Sequence, residues 1–102
     1  MRPLKEMNWQ ILIPFDPREG ISLGRAALRA GKSESTVRGW CVRRGLGRRV
    51  GNGVWVVSKV ALAMYLDDDH NALASYLAGD RSNHRVKMYF ERVGVPLSEG
   101  AE

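Results

Sequence analysis

The residues that follow position 21 carry the pattern of a short, capped helix. Ser22 is suited to cap the start of a helix, and residues 23–30 follow with apolar side chains at helical spacing. Gly31 fits the left-handed conformation that ends many helices. This pattern predicts one short helix that stops at the glycine.

A second helix is predicted directly after it. Ser33 is another capping residue, and Glu34 is favourable in the first turn of a helix because its charge opposes the helix dipole. The helical pattern continues to about Arg44, where Gly45 stops it. The two predicted helices are therefore separated by only a tight turn.

Residues 46–57 change to the two-residue period of strands. β-branched and aromatic residues lie on both sides of Gly51-Asn52-Gly53. An Asn-Gly pair supplies the positive φ angles of a tight turn, so the segment predicts a β-hairpin with this tip.

Three more helices are predicted in the remainder. Ser58 caps a mostly apolar helix over 59–66, and Asp67-Asp68-Asp69 provides the cap and first turn of the next, which ends at Gly79-Asp80. Residues 72–77 are similar to residues 61–66 at an offset of eleven positions, which is close to three helical turns and also permits one long helix. The aspartates favour two helices. The last helix covers about 82–93, with an apolar stripe at Val86, Tyr89, Phe90 and Val93.

These elements predict a mainly α fold with a small β-hairpin, arranged as a winged helix-turn-helix with a short C-terminal helical extension. We expect an irregular arm over 1–20 with a candidate strand at 10–13, the winged helix-turn-helix at 21–69, the extension at 70–93 and a tail at 94–102. The extension either packs on the rest or builds a surface for assembly. Its candidate residues for both roles are Tyr76, Leu77, Tyr89 and Phe90.

Composition narrows the class of protein. The chain has 102 residues and one cysteine, Cys41, which excludes an internal disulfide and a cysteine-based zinc site. No apolar stretch approaches the roughly 20 residues of a membrane span. We expect a cytoplasmic protein with no membrane partner.

Positive charge is concentrated in one third of the chain. Residues 25–59 contain nine basic residues and one acid, a net charge of +8, whereas the rest contains seven basic and ten acidic residues, a net charge of −3. This distribution is typical of a protein that binds a polyanion. The alternative is a solvated basic face without a partner.

The spacing of small and apolar residues supports a helix-turn-helix. Such a unit needs a small residue in its first helix, a residue that tolerates the left-handed conformation in the turn, and an apolar residue in its second helix. Ala27, Gly31 and Val37 meet these needs in order. A purely structural pair of packed helices is the alternative.

The second helix is then the candidate reader of DNA bases. Val37, Trp40 and Cys41 are expected to face the core, which leaves its polar residues outward. Arg38 is the best candidate for base reading, because its guanidinium matches the two acceptors of guanine. Ser33, Ser35 and Thr36 are candidates for base or phosphate contacts, and Arg43 and Arg44 for phosphate contacts.

Further contacts are predicted from the hairpin and the first helix. Arg48, Arg49 and Asn52 would follow the DNA backbone or enter a neighbouring minor groove, where the potential is most negative. Arg25 and Lys32 are predicted to contact the DNA backbone. Trp55 is either a core residue or a stacking residue, and the core role is favoured.

Residues 22–66 resemble the winged-helix domains of the MerR-like and excisionase families. The most specific match is Ser33-Glu34-Ser35-Thr36-Val37-Arg38-Gly39-Trp40, supported by Leu23-Gly24-Arg25-Ala26-Ala27 and by Gly53-Val54-Trp55-Val56-Val57-Ser58. In these families the second helix reads the major groove and the wing contacts the neighbouring groove. MerR-type regulators continue into a long coiled coil, which the sequence lacks, so no small-molecule effector is expected.

The resemblance implies an excisionase-like recombination directionality factor, which binds duplex DNA cooperatively near attachment sites, bends it, and acts with an integrase or recombinase. It also implies a location at the bacterial nucleoid. A transcriptional regulator of a phage or mobile element and a small terminase-like packaging subunit remain as alternatives. His70 and His84 lack partners at metal-ligand spacing, and no nucleophile or phosphate-loop motif occurs. Neither catalysis nor a cofactor is expected.

Overall fold

The computed structural model describes residues 17–51 and 54–96, which form a mainly helical fold with a small antiparallel sheet. A 3₁₀ turn at Pro17–Glu19 precedes the first strand. The elements are β1 (Gly20–Ser22), α1 (Leu23–Ala30), α2 (Glu34–Arg44), β2 (Gly47–Val50), β3 (Val54–Ser58), α3 (Lys59–Leu66), α4 (His70–Leu77) and α5 (His84–Arg92).

The two helices of the predicted helix-turn-helix are confirmed together with their caps. Ser22 Oγ accepts a hydrogen bond from the Arg25 amide at 3.1 Å, and Ser33 Oγ accepts one from the Thr36 amide at 3.1 Å. Gly31 ends α1 with a φ of 68°, a conformation that costs a glycine little because it has no Cβ. Local capping therefore fixes where α1 and α2 begin and end.

The predicted hairpin is confirmed, but the sheet has a third strand. Strands β2 and β3 pair antiparallel, and β1 pairs antiparallel with the other edge of β3, with Ile21 opposite Val57. Strand β3 is thus central. Residues 17–20, predicted as the end of an irregular arm, instead form the 3₁₀ turn and the start of β1. Three residues are too few to show strand alternation in the sequence.

The C-terminal half contains three separate helices, as predicted. Asp69 caps α4 by accepting a hydrogen bond from the Ala72 amide at 3.1 Å, so the single long helix is wrong. Helix α5 begins at His84, two residues later than predicted, because Asn83 caps it by accepting a hydrogen bond from the Arg85 amide at 2.8 Å.

One apolar core joins the C-terminal helices to the helix-turn-helix. Ala26 of α1, Val37 of α2 and Val57 of β3 are fully buried in the same cluster as Tyr76 of α4 and Val86 of α5. Tyr89 and Phe90 are buried there as well, and Leu77 packs against the cluster. The apolar side of the extension is therefore used inside the molecule.

Some predictions lie outside the described residues. These are the candidate strand at 10–13, Asn52 at the hairpin tip, and the end of the tail beyond residue 96. In the described ranges, no helix has the length and apolar character needed to cross a membrane.

Candidate nucleic-acid interface

Helix α2 has one side in the core and one side in solvent. Val37 and Cys41 are buried and Trp40 is half-buried, as predicted, and these three residues lie on one side of the helix. Because successive residues turn by about 100°, the opposite side is formed by residues near positions 35, 39 and 42. We call this the outward face of α2, formed by Ser35, Arg38, Gly39, Val42 and Arg43.

The buried side of α2 fixes how the outward face is presented. The Trp40 ring packs on Tyr65 of α3 with ring centroids 4.8 Å apart. Cys41 is buried beside Gly47, and burial raises the pKa of its thiol to about 11, so it stays neutral and serves packing. An arginine on the outward face is therefore carried by a rigid support.

The start of α2 is exposed but partly committed to its own cap. The Ser33 hydroxyl accepts from the Thr36 amide and donates to Thr36 Oγ1 at 3.0 Å. Ser33 and Thr36 are thus hydrogen-bonded to each other, whereas Ser35 is exposed on the outward face. Of the three hydroxyl residues predicted to meet DNA, Ser35 is the one presented there.

The basic residues of α2 do not all share one face. Arg38 and Arg43 flank the outward face, and the Arg43 guanidinium lies back along the helix, with Nη1 2.9 Å from where a Cβ on Gly39 would stand. Arg44 follows Val37 by seven residues and Trp40 by four, so it lies on the same side of the helix as these two core residues. It is nevertheless exposed, in the last turn of α2.

The arginines of α2 have no acidic partner among the described residues. Arg38, Arg43 and Arg44 take part in no ion pair there. Arg85 and Arg92 of α5, by contrast, are paired with aspartates at 2.5 and 2.9 Å. The positive charge of α2 is therefore available to a ligand, while that of Arg85 and Arg92 is neutralised within the fold.

The hairpin presents its two arginines on opposite faces. Arg48 stands across from Val56 and is half-buried, whereas Arg49 stands across from Trp55 and is exposed. Neighbouring residues in a strand point to opposite sides, so each face of the β2–β3 hairpin, the predicted wing, carries one of these two arginines. Trp55 packs against the core, as favoured from the sequence.

Arg25 and Lys32 lie beside the start of α2. Both are exposed and line an open depression between α1, the turn and the first residues of α2. Neither has an acidic partner in the described ranges. Their positions suit contact with a nucleic-acid backbone that passes the start of α2.

The aspartates at 67–69 are structural residues. Asp67 accepts hydrogen bonds from Arg92 and Tyr89, and Asp69 accepts from Arg85 and Tyr89 while it caps α4. These partners hold the pKa of both carboxyls below the usual value, first of all through the arginine hydrogen bonds. Within the described ranges no group of three or more metal-ligating side chains occurs.

Two features of the site were missed from the sequence. Gly39 and Val42 occupy the middle of the outward face, and neither residue type signals a site on its own. Helical spacing from the predicted core residues would have placed them there.

Comparisons do not add a family to this description. The chain matches no protein-family model, and no significant match is found among curated proteins or solved structures.

Proposed function

We propose that this protein binds double-stranded DNA in a sequence-specific way, with α2 in the major groove and the β2–β3 hairpin against the backbone or an adjacent groove. The observation that carries the proposal is the outward face of α2. It holds Arg38 and Arg43 on a rigid support, without acidic partners in the described ranges.

The chemistry of these residues suits the major groove. An α-helix fits that groove, and an arginine fork can bond both acceptors of guanine. Arg38 is the proposed base-reading residue, and Arg43, Arg44, Arg49, Arg25 and Lys32 are proposed phosphate contacts, which set affinity more than sequence preference. Arg48 is proposed for the same role from the second face of the hairpin.

Within this class we propose the role of an excisionase-like recombination directionality factor. Support comes from the resemblance of residues 22–66 and from the concentration of positive charge in residues 25–59. Such a factor would bind cooperatively with further copies of itself, bend DNA and act with an integrase, without a catalytic step of its own. A transcriptional regulator would use the same interface.

The packaging-subunit alternative is less favoured. It requires the C-terminal helices to form a surface for assembly, yet Tyr76, Tyr89 and Phe90 are buried in the protein's own core. An oligomer of fixed size in the absence of DNA would restore that alternative.

Removal of the Arg38 side chain tests the proposal. The probe is the duplex that the wild-type protein selects from a random library, compared with a scrambled duplex of the same composition. Arg38→Ala is expected to weaken binding to the selected duplex by about 1–3 kcal/mol and binding to the scrambled duplex much less.

Lys87→Ala is the matched control, because Lys87 is an exposed cation on α5, a helix that packs against α3 and α4. It should leave both affinities nearly unchanged. Equal losses on both duplexes for Arg38→Ala would show that this arginine holds phosphate and does not read bases.

A further inference from the structure

Gly39 lies inside α2, where the fold gives no reason for a glycine. It is the sixth of eleven helical residues and does not have a positive φ. Glycine inside a helix is less favourable than alanine. The atoms nearest to a Cβ there would be those of the Arg43 guanidinium, with Nη1 at 2.9 Å, and this far end of a flexible side chain could move aside. Neither backbone strain nor a rigid neighbour therefore requires a glycine here.

Val42 is exposed on the same face. Its side chain is 69% exposed, although it is a β-branched apolar residue in a helix. It follows Gly39 by three positions and Arg38 by four, so the three residues are neighbours on the helix surface. The outward face of α2 thus has an apolar centre, Gly39 and Val42, between two arginines.

The glycine changes how closely this centre can approach a ligand. The Arg43 guanidinium lies over Gly39, and it is the far end of a flexible side chain that can swing toward a phosphate. Once it does, the lack of a side chain at position 39 lets the backbone of α2 come close to a surface. Val42 would then reach that surface with its methyl groups, with Arg38 beside it.

We propose that Gly39 and Val42 recognise the 5-methyl group of a thymine in the major groove. This inference rests on the proposed function, because it assigns a base to the same face. The thymine methyl is the apolar group that base pairs display in that groove, and small apolar side chains are the groups that contact it. Gly39 permits the close approach, and Val42 makes the contact.

Uracil provides a probe that removes this methyl and nothing else. Each thymine of the selected duplex is replaced in turn by uracil, and affinity is measured for the wild type and for Val42→Ala. The wild type should lose about 3- to 5-fold at one position, the effect of one buried methyl group. Val42→Ala should bind the thymine duplex with at least this loss and should show no further loss with uracil at that position.

Two variants separate recognition from folding. Gly39→Ala should raise the urea midpoint of unfolding, because alanine favours the helix, and yet should weaken binding to the selected duplex. Met88→Ala removes a partly exposed apolar side chain from α5 and should leave the uracil response as in the wild type.

Each remaining outcome has a defined meaning. If uracil weakens Val42→Ala as much as the wild type, or weakens neither protein, the inference is wrong while sequence-specific binding stands. If Val42→Ala changes self-association and leaves the uracil response intact, Val42 is a protein contact and the inference is wrong. If the wild type binds all duplexes equally, the proposed function itself fails.

Discussion

At the residue scale, Gly47 of β2 lies where this strand packs closely against both β3 and Cys41 of α2. A Cβ at this position would stand 2.4 Å from the Val56 carbonyl oxygen, 2.9 Å from Val57 Cα and 3.1 Å from Cys41 Sγ. Two of these atoms belong to the backbone of the central strand and cannot move alone. The absence of a side chain at Gly47 therefore allows β2 to lie close to β3 and to Cys41 of α2.

We predict that Gly47→Ala lowers the free energy of unfolding by about 1–3 kcal/mol, through overpacking. Urea denaturation measures the change. Gly24→Ala is the control, because its Cβ would meet only Glu34 Oε2, at 3.2 Å, and that carboxylate can move. Equal stability of Gly47→Ala and the wild type would contradict the packing described for the wing.

Some residue roles could be predicted from the sequence and others could not. The caps Ser22, Ser33 and Ser58 were predictable because capping depends on a few neighbouring residues. The role of Gly47 depends on contacts with Val56 and Cys41, which the fold brings together, so no local pattern reports it.

At the element scale, the turn between α3 and α4 is joined to α5 by charge. Asp67 Oδ2 lies 2.9 Å from Arg92 Nη1, and Asp69 Oδ2 accepts a hydrogen bond from Arg85 Nη2. The arginine hydrogen bonds hold the pKa of both aspartates below its usual value. The unfolded chain therefore binds more protons than the folded protein near and below pH 4.

It follows that stability is complete above about pH 5 and falls as the pH drops through the lowered pKa values. Asp69→Asn should flatten this loss, because the amide keeps an oxygen to cap α4 but carries no charge to lose. Urea denaturation between pH 7 and pH 3 measures the effect.

Asp68→Asn is the matched control for that series. Asp68 is exposed, has a φ of 63°, which asparagine tolerates, and contacts the exposed His70, with Oδ1 2.9 Å from Nε2. Because an exposed pair adds little to stability, the acid dependence of Asp68→Asn should be close to that of the wild type. A flat wild-type profile between pH 5 and pH 3 would contradict the role given to the ion pairs.

Elements with strong local signals were predicted with nearly correct bounds. Helix α2 has a capping serine at its start and a terminating glycine at its end, and both signals lie in the sequence. Strand β1 has neither, because Gly20–Ser22 becomes a strand only through pairing with β3. Long-range pairing of so short a segment is invisible to periodicity.

At the scale of the whole molecule, a buried polar network joins the start of the described chain to its C-terminal half. The Tyr76 hydroxyl donates to Glu19, which is 1% exposed, and lies 2.7 Å from Ser58 Oγ. Ser58 in turn caps α3, and the Arg81 guanidinium lies over the Tyr76 ring. Burial, followed by the charge of Glu19, raises the pKa of Tyr76 far above its usual value.

We predict that Tyr76→Phe lowers the free energy of unfolding by about 1–3 kcal/mol, because it leaves buried polar groups without their partner. Tyr65→Phe is the control, since the Tyr65 ring is half-buried against Trp40 and lies outside this network. Urea denaturation compares the two. A smaller loss for Tyr76→Phe than for Tyr65→Phe would show that the network does not hold the molecule together.

The whole molecule also separates its charges by role. The aspartates at positions 67 and 69 are paired with α5, whereas the arginines of α2 have no acidic partner among the described residues. The proposed binding to DNA through such residues would release counterions. The logarithm of the binding constant should therefore fall linearly with the logarithm of the salt concentration, with a slope near −0.9 for each phosphate neutralised.

The most direct test of the central claim is the ratio of two affinities at one physiological salt concentration. The wild-type protein is titrated with the duplex it selects from a random library and with a scrambled duplex of the same composition. Sequence-specific binding through α2 predicts a ratio of roughly 10³ or more. Equal affinity for the two duplexes, or no binding to either, would contradict it.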